Sequence, residues 1–385
     1  MCAHAVISFR RRMPAARKRK TRHMNSLSLH EFHQGLHAQF AEVNGTEVVE
    51  HYGDALAEHG ALRDAVGVLD LSFRSRVCLT GADRQKFLNG QVTNNVKDLK
   101  VGEGCYAALV NAKGRMQSDL NLYVLENEIL LDVEPGYGAT VTQRLEKYII
   151  ADDVQVLDAA PHYGLLSVQG PKAKEVVRQL ELGVEPPVQP MHCVSRKDST
   201  LGEIYFMNLP RAGAGGFDLF VPAATLGAVA KKLVGAAEAN GGRACGWRAL
   251  ETARIEAGIP RFGADMDETN LPPEAGLEAR AISYSKGCYI GQEVIARIRT
   301  YGQVSKALRG LRLADSIKVL PKKGDKLYWA DKEAGHVTSA LASPTFKGNI
   351  ALGYVRREHN NIGTRFVVRT VAGDCEATLV PLPFR

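Results

Sequence analysis

The stretch that most restricts the fold is the last one. From Gly302 onward six short segments alternate apolar and polar residues: Val304 to Leu313, Lys326 to Trp329, Ala334 to Ala342, Ile350 to Arg356, Phe366 to Val371 and Glu376 to Val380. Short polar turns such as Ala372-Gly373-Asp374 separate them. Alternation with a period of two turns one face of each strand to a core. A run of short strands joined by tight turns removes its unpaired edges most simply by closing on itself. Residues 302–385 are therefore expected to form a small antiparallel β-barrel.

The chain ahead of it has a different texture. Strands at Ser75 to Thr80, Tyr106 to Asn111, Arg115 to Val124 and Ile129 to Val133 mix with helical stretches at 54–70, around Phe87 and Leu88, and around Val141 and Leu145. The same grammar returns with strands at Val154 to Leu157, Gly164 to Gln169, Glu203 to Leu209 and Gly216 to Val221. Proline-started helices follow Gly170 and Val221, and a further helix runs from about Ala244 to Ala257. This pattern is that of α+β units with helices against one side of an antiparallel sheet. The expected division is a basic tail over 1–24, a first α+β domain over 25–150, a second over 151–301 and the barrel over 302–385. Residues 182–200 read as an irregular loop.

The charge needs dividing before it is interpreted. Eight of the 49 Lys and Arg residues fall within 1–24, which hold no Asp or Glu, so the remaining 41 face all 42 acidic residues. The body is neutral, offers few phosphate contacts, and gives no reason to expect nucleic-acid binding. The tail reads as disorder, a targeting segment, or sequence ahead of a start at Met24. Ser28 to Glu31 reads as a capping box opening a helix with Leu29, Phe32, Leu36 and Phe40 on one side, and with His30, His33 and His37 on a solvated face. Seven scattered cysteines without a C-x-x-C pair argue against a disulfide framework, a zinc site or a cluster held by this chain alone, and suit the cytoplasm. No apolar run approaches a membrane span. Asp265, Asp267 and Thr269 imitate the start of a calcium loop, but Asn270 and Gly276 occupy its sixth and twelfth places, so no metal site is expected.

One stretch carries chemistry on its face: Lys286 to Glu293, KGCYIGQE. Cys288 lies just ahead of a helix expected from Gln292, beside Lys286, and both features favour thiolate over thiol. It reads either as a reactive sulfur or as a small buried hydrophobe.

Four blocks bring in a resemblance: GADRQKFLNGQVTNNV, YAALVNAKGRMQSDL, RIEAGIPRFGADMDETNLPPEAGL and the closing LVPLPF. From about Asp70 onward the chain resembles the glycine cleavage T-protein superfamily, tetrahydrofolate-dependent aminomethyltransferases. KGCYIGQE, with Lys286, Gly287, Tyr289, Gly291, Gln292 and Glu293 around Cys288, is similar to the signature of the YgfZ-type branch. The resemblance implies a ring of two α+β (ferredoxin-like) units around a folate-sized channel plus the barrel. Two departures are visible. The paired carboxylates of the transferases stand here as Ser118-Asp119, and the glutamate of a glycine-rich turn as Ala214. Removing positioned acids weakens a transfer reading. Trp247 could stack on a pterin, or simply pack at a helix start. Arg248 could meet an anionic glutamate tail, and Asn111 could bond a ligand or cap its turn. Arg254 and Glu256 point to different sides of one helix.

Two readings follow from the resemblance. The first is a tetrahydrofolate-binding accessory protein, with Cys288 at the channel rim and Asn111, Asp119, Trp247, Arg248 and Arg254 around the folate. It would support assembly or repair of iron–sulfur clusters in partner enzymes, including tRNA-modifying ones, without a stable metal or cluster of its own. The second is a folate-dependent aminomethyltransferase using Asp119.

Overall fold

The computed structural model describes residues 25–384. The basic tail lies outside these residues. No helix among them is long and apolar enough to cross a membrane.

The C-terminal strands close as expected. Six strands, Lys306–Leu313, Lys326–Trp329, Lys332–Ser343, Gly348–Arg356, Arg365–Thr370 and Gly373–Val380, form an antiparallel barrel. Its inward side chains, among them Leu311, Leu327, Val337, Val355, Phe366 and Leu379, make a closed core. The barrel is seated on the helix Trp247–Glu256 by the buried Glu256, which meets His59 at 2.7 Å and Thr345 at 2.8 Å and also binds Ser343.

Ahead of the barrel stand two sheets. The first has the order Gly104–Val110, Met116–Val124, Ile129–Val133, Ser75–Thr80 and Gln155–Asp158. The second runs Cys193–Asp198, Gly202–Asn208, Gly216–Pro222, Tyr163–Gln169, Gly67–Asp70 and Arg243–Ala244, the last pair parallel. Each sheet packs helices on one face. Val141 and Leu145 of Gly138–Glu146 cover the first, and Val229, Leu233 and Ala237 of Leu226–Ala239 cover the second. The sheets exchange strands across residue 150, because Gly67–Asp70 joins the second sheet and Gln155–Asp158 the first.

Four local expectations are corrected. The helical stretch expected over 54–70 is the helix Ala55–Asp64 followed by the strand Gly67–Asp70. The helix after Met24 is only His30–Gly35, its start has no side-chain cap, and Phe40 lies in the strand Gln39–Val43. The histidines do not share a solvated face. His33 is buried, bonded to Asp70 and to the Tyr52 hydroxyl at 2.8 Å each, whereas His30 meets Glu47 at 2.9 Å. His37 takes a left-handed φ of 62°, which ends the helix, and Asn44-Gly45, at φ 51° and 84°, turns the chain into a hairpin with Thr46–His51. Within 182–200 the segment Cys193–Asp198 is a strand paired with Gly202–Asn208. Its Arg196 and Lys197 disguise it, charges typical of an edge strand. The calcium-like residues serve the fold: Asp265 binds Arg254, Thr338 and Ser339, and Asp267 caps Thr269 at 2.9 Å.

Candidate functional site

The uncovered face of the first sheet is polar where an alternating strand would bury apolar groups. On Met116–Val124, Leu120 and Leu122 point into the core, while Asp119 and Asn121 point the other way. The neighbouring strands add Tyr106 and Asp132, and Glu134 follows. The turn Leu209-Pro210-Arg211 of the second sheet faces them, with Trp247, Leu250, Glu251 and Arg254 of one helix and Ile259 to Arg261 beyond it. Together they line an open cleft between the two sheets, with Arg280 at its edge. Small-molecule sites commonly have this placement between units.

Charge organises the cleft. Arg74 binds Asp132 at 2.7 Å and Glu134 at 2.5 Å. Arg211 binds Asp132 and Asp218 at 2.6 Å each. Arg261 reaches Glu134 at 3.3 Å and Glu251 at 3.0 Å, and Arg254 holds Glu251 at 2.8 Å and also Asp265. These pairs tie the two sheets and the helix together, and Asp265 extends the network to the barrel by accepting from the Thr338 and Ser339 hydroxyls. Burial alone would raise the Asp132 and Glu134 carboxyls, but the guanidiniums outweigh it and hold both below the usual range.

Asp119 is the exception. Among the described residues no guanidinium bonds it; its partner is the Tyr106 hydroxyl, which donates to it at 2.7 Å. Burial, reinforced by the charge of Glu134, pushes its carboxyl up to about 6. A carboxyl so poised can hold or release a proton near neutral pH.

The departure at position 118 acquires a different meaning here. Ser118 is fully buried, donates its hydroxyl to the Asp119 carbonyl at 2.8 Å, and does not line the cleft. Strand alternation turns position 118 away from the cleft, so serine there takes no acid out of it. Ala214 likewise stands off the lining.

Of the expected site residues, Asp119, Trp247 and Arg254 come together. Trp247 has Arg261 over its ring at 4.9 Å and Phe73 at its edge at 5.4 Å. Asn111 is a turn cap: its side-chain oxygen accepts from Lys113 and Arg115 backbone N–H groups at 2.9 and 3.1 Å, and it lies outside the cleft. Arg248 lies outside this lining, in an adjoining cleft against the barrel with Thr252 and Leu341 that shares Glu251, Arg254 and Arg261 with the first. Tyr106, Glu134, Arg211, Glu251 and Arg280 were missed. The signal for the acids is Asp132 and Glu134 two apart at the end of an otherwise apolar strand, which aims both at one face.

Cys288 is exposed but does not line the cleft. The reason is its anchorage. Lys286 is buried and its ammonium donates to the Asn89, Val92 and Asn94 carbonyls, while Ile290 N–H donates to Gly90 O at 3.2 Å. Burial pulls the lysine down to about 8, and the three carbonyls, rather than the thiol, receive its charge. Tyr289 lies beneath Lys286, its ring 4.9 Å from the ammonium. A Cβ on Gly291, whose φ is 82°, would lie 2.4 Å from the Asn111 carbonyl oxygen, so glycine is required there. Gln292 opens the helix Gln292–Tyr301, and Glu293 is exposed and pairs with Arg297 at 2.8 Å. Lys286, Tyr289 and Gly291 thus dock the motif, and Gly287 and Cys288 are left at the surface.

Comparison with known proteins agrees with this architecture. Residues 29–286 match the GCVT N-terminal domain, and residues 306–385 match the glycine cleavage T-protein C-terminal barrel domain. A protein named aminomethyltransferase from Symbiobacterium thermophilum is 30% identical over 369 residues, covering 92% of this chain and 96% of its own. One from Cupriavidus pinatubonensis is 30% identical over 382 residues, covering 94% and 97%. The crystal structure of glycine cleavage system aminomethyltransferase T from Bartonella henselae superposes with a TM-score of 0.84 at 24% identity, covering 94% of this chain and 98% of that one, a likeness of fold.

Proposed function

This chain belongs to the glycine cleavage T-protein family, and on that footing we propose that it is a folate-dependent one-carbon transferase of the aminomethyltransferase kind, with its reduced-folate site in the Asp119 cleft. The observation that carries the reading is Asp119 itself: a buried carboxyl without a bonded cation, poised near neutral pH, on the wall of a cleft between the two sheets. The residues present fit a folate. Trp247 offers aromatic surface to a flat ring, Asn121 and Glu251 offer polar edges, and the arginines suit an acid tail. A reduced folate would supply the nitrogen that accepts the one-carbon unit. Asp119 takes the proton released at that nitrogen, Tyr106 holds the carboxyl in place through its hydroxyl, and the arginine–carboxylate pairs keep the walls rigid.

A second reading rests on Cys288. A thiol displayed at the surface by three docked neighbours suits transient exchange with a partner, as the YgfZ-type branch of the family implies for iron–sulfur clusters in other proteins. One thiol falls short of the four or so ligands of a stable cluster. The two readings separate in one assay of methylene transfer from an aminomethyl-lipoyl carrier to tetrahydrofolate. Transfer by the purified protein, unchanged in Cys288→Ala, is expected from the first. Folate binding without transfer, with cluster-dependent enzymes failing under oxidative stress in a Cys288→Ala strain, is expected from the second.

A further inference from the structure

Five arginines line the cleft, and four of them, Arg74, Arg211, Arg254 and Arg261, are each bonded to two carboxylates. Arg280 is different. Among the described residues it has no carboxylate within 4 Å, and its guanidinium lies over the Tyr106 ring at 5.1 Å. Its main chain is fixed, since the Arg280 carbonyl accepts from the Asn94 amide at 3.2 Å and the helix Glu278–Ala281 packs beside the Tyr106 strand. The side chain is exposed at the cleft mouth. A guanidinium that is always charged and rests on an aromatic face is readily redirected to a carboxylate, with which it makes two parallel hydrogen bonds.

We propose that Arg280 is the anion receptor of the cleft: it selects ligands that carry a carboxylate, and in leaving the Tyr106 ring it ties anion binding to the Tyr106–Asp119 pair. This rests on the reading of the cleft as a reduced-folate site. It gives Arg280 the role that sequence reasoning had assigned to Arg248, which lines the adjoining cleft against the barrel and not the wall that carries Asp119. The residue is a specificity determinant, with Asp119 still the group that moves the proton.

The experiment compares two probes on the full chain, tetrahydrofolate and a tetrahydropterin lacking the benzoylglutamate, by calorimetric titration of wild type, Arg280→Gln, Arg280→Lys and Arg248→Gln. Wild type is expected to bind tetrahydrofolate at least tenfold tighter than the pterin. Arg280→Gln should bring the two affinities together by weakening tetrahydrofolate alone, Arg280→Lys should restore part of the preference, and Arg248→Gln should leave it intact. Arg280 makes no buried contact that would unfold the chain, and unchanged circular dichroism and urea midpoint check this. A preference that survives in Arg280→Gln overturns the inference and leaves the folate reading standing. A wild type that binds neither probe overturns both.

Discussion

Asp119→Asn is expected to lower methylene transfer by about 10²–10⁴-fold, the usual worth of a positioned acid–base group, while tetrahydrofolate binds within a few-fold of wild type. Asparagine keeps the shape and still accepts from the Tyr106 hydroxyl, so binding loses little; what disappears is the place for the proton. The pH profile separates this from a packing defect. Because the carboxyl is raised to about 6 from an ordinary value near 3.8, wild-type rates should climb with pH and level off above about 6, whereas the residual rate of the variant should lack that step. The sign for stability is opposite. A carboxyl that holds its proton more tightly when folded contributes fully below its unfolded pKa, and that contribution is lost as pH rises through about 6. The variant should thus be no less stable than wild type at pH 7.5, and a lower urea midpoint there would place Asp119 among structural residues.

The largest expected loss of stability comes from Arg74→Ala. Both partners, Asp132 and Glu134, are buried, and removing Arg74 leaves each with a single guanidinium, Arg211 or Arg261, and less of its charge compensated, at a cost of about 3 kcal/mol. Asp132 and Glu134 are depressed in the wild type, so their contribution is present above their unfolded values and lost as pH falls through their folded ones. Without Arg74 their carboxyls take up protons at higher pH. The deficit in urea midpoint should accordingly be large at pH 7.5 and shrink toward pH 5. An equal deficit at both would mean the loss is one of packing alone.

The contrast between these residues shows what the chain discloses by itself. The barrel was legible because alternation and short turns repeat within about ten residues, and its closure follows from edge pairing. Asp119 was legible through its neighbours in a motif and Trp247 through its helix start. The cleft around them was not. Tyr106, Glu134, Arg211, Glu251 and Arg280 lie far apart in sequence and converge only when the two sheets face each other, which no local period encodes. Where local reading failed, a tertiary partner decided. His33 turned to Asp70, and Lys286 turned from the thiol toward three carbonyls. Cys288 reads the same either way in sequence; its exposure depends on where the anchoring lysine finds acceptors.

The central claim is that the Asp119 cleft takes a reduced folate against Trp247. Trp247 and Trp329 are the two tryptophans of the chain, and Trp329 lies exposed on the barrel, stacked on His359. Titrating tetrahydrofolate into a Trp329→Phe background therefore reports on Trp247. The account predicts a saturable change in its fluorescence that the Trp247→Phe, Trp329-intact protein does not show. A flat titration, or an equal response in the protein lacking Trp247, would contradict it.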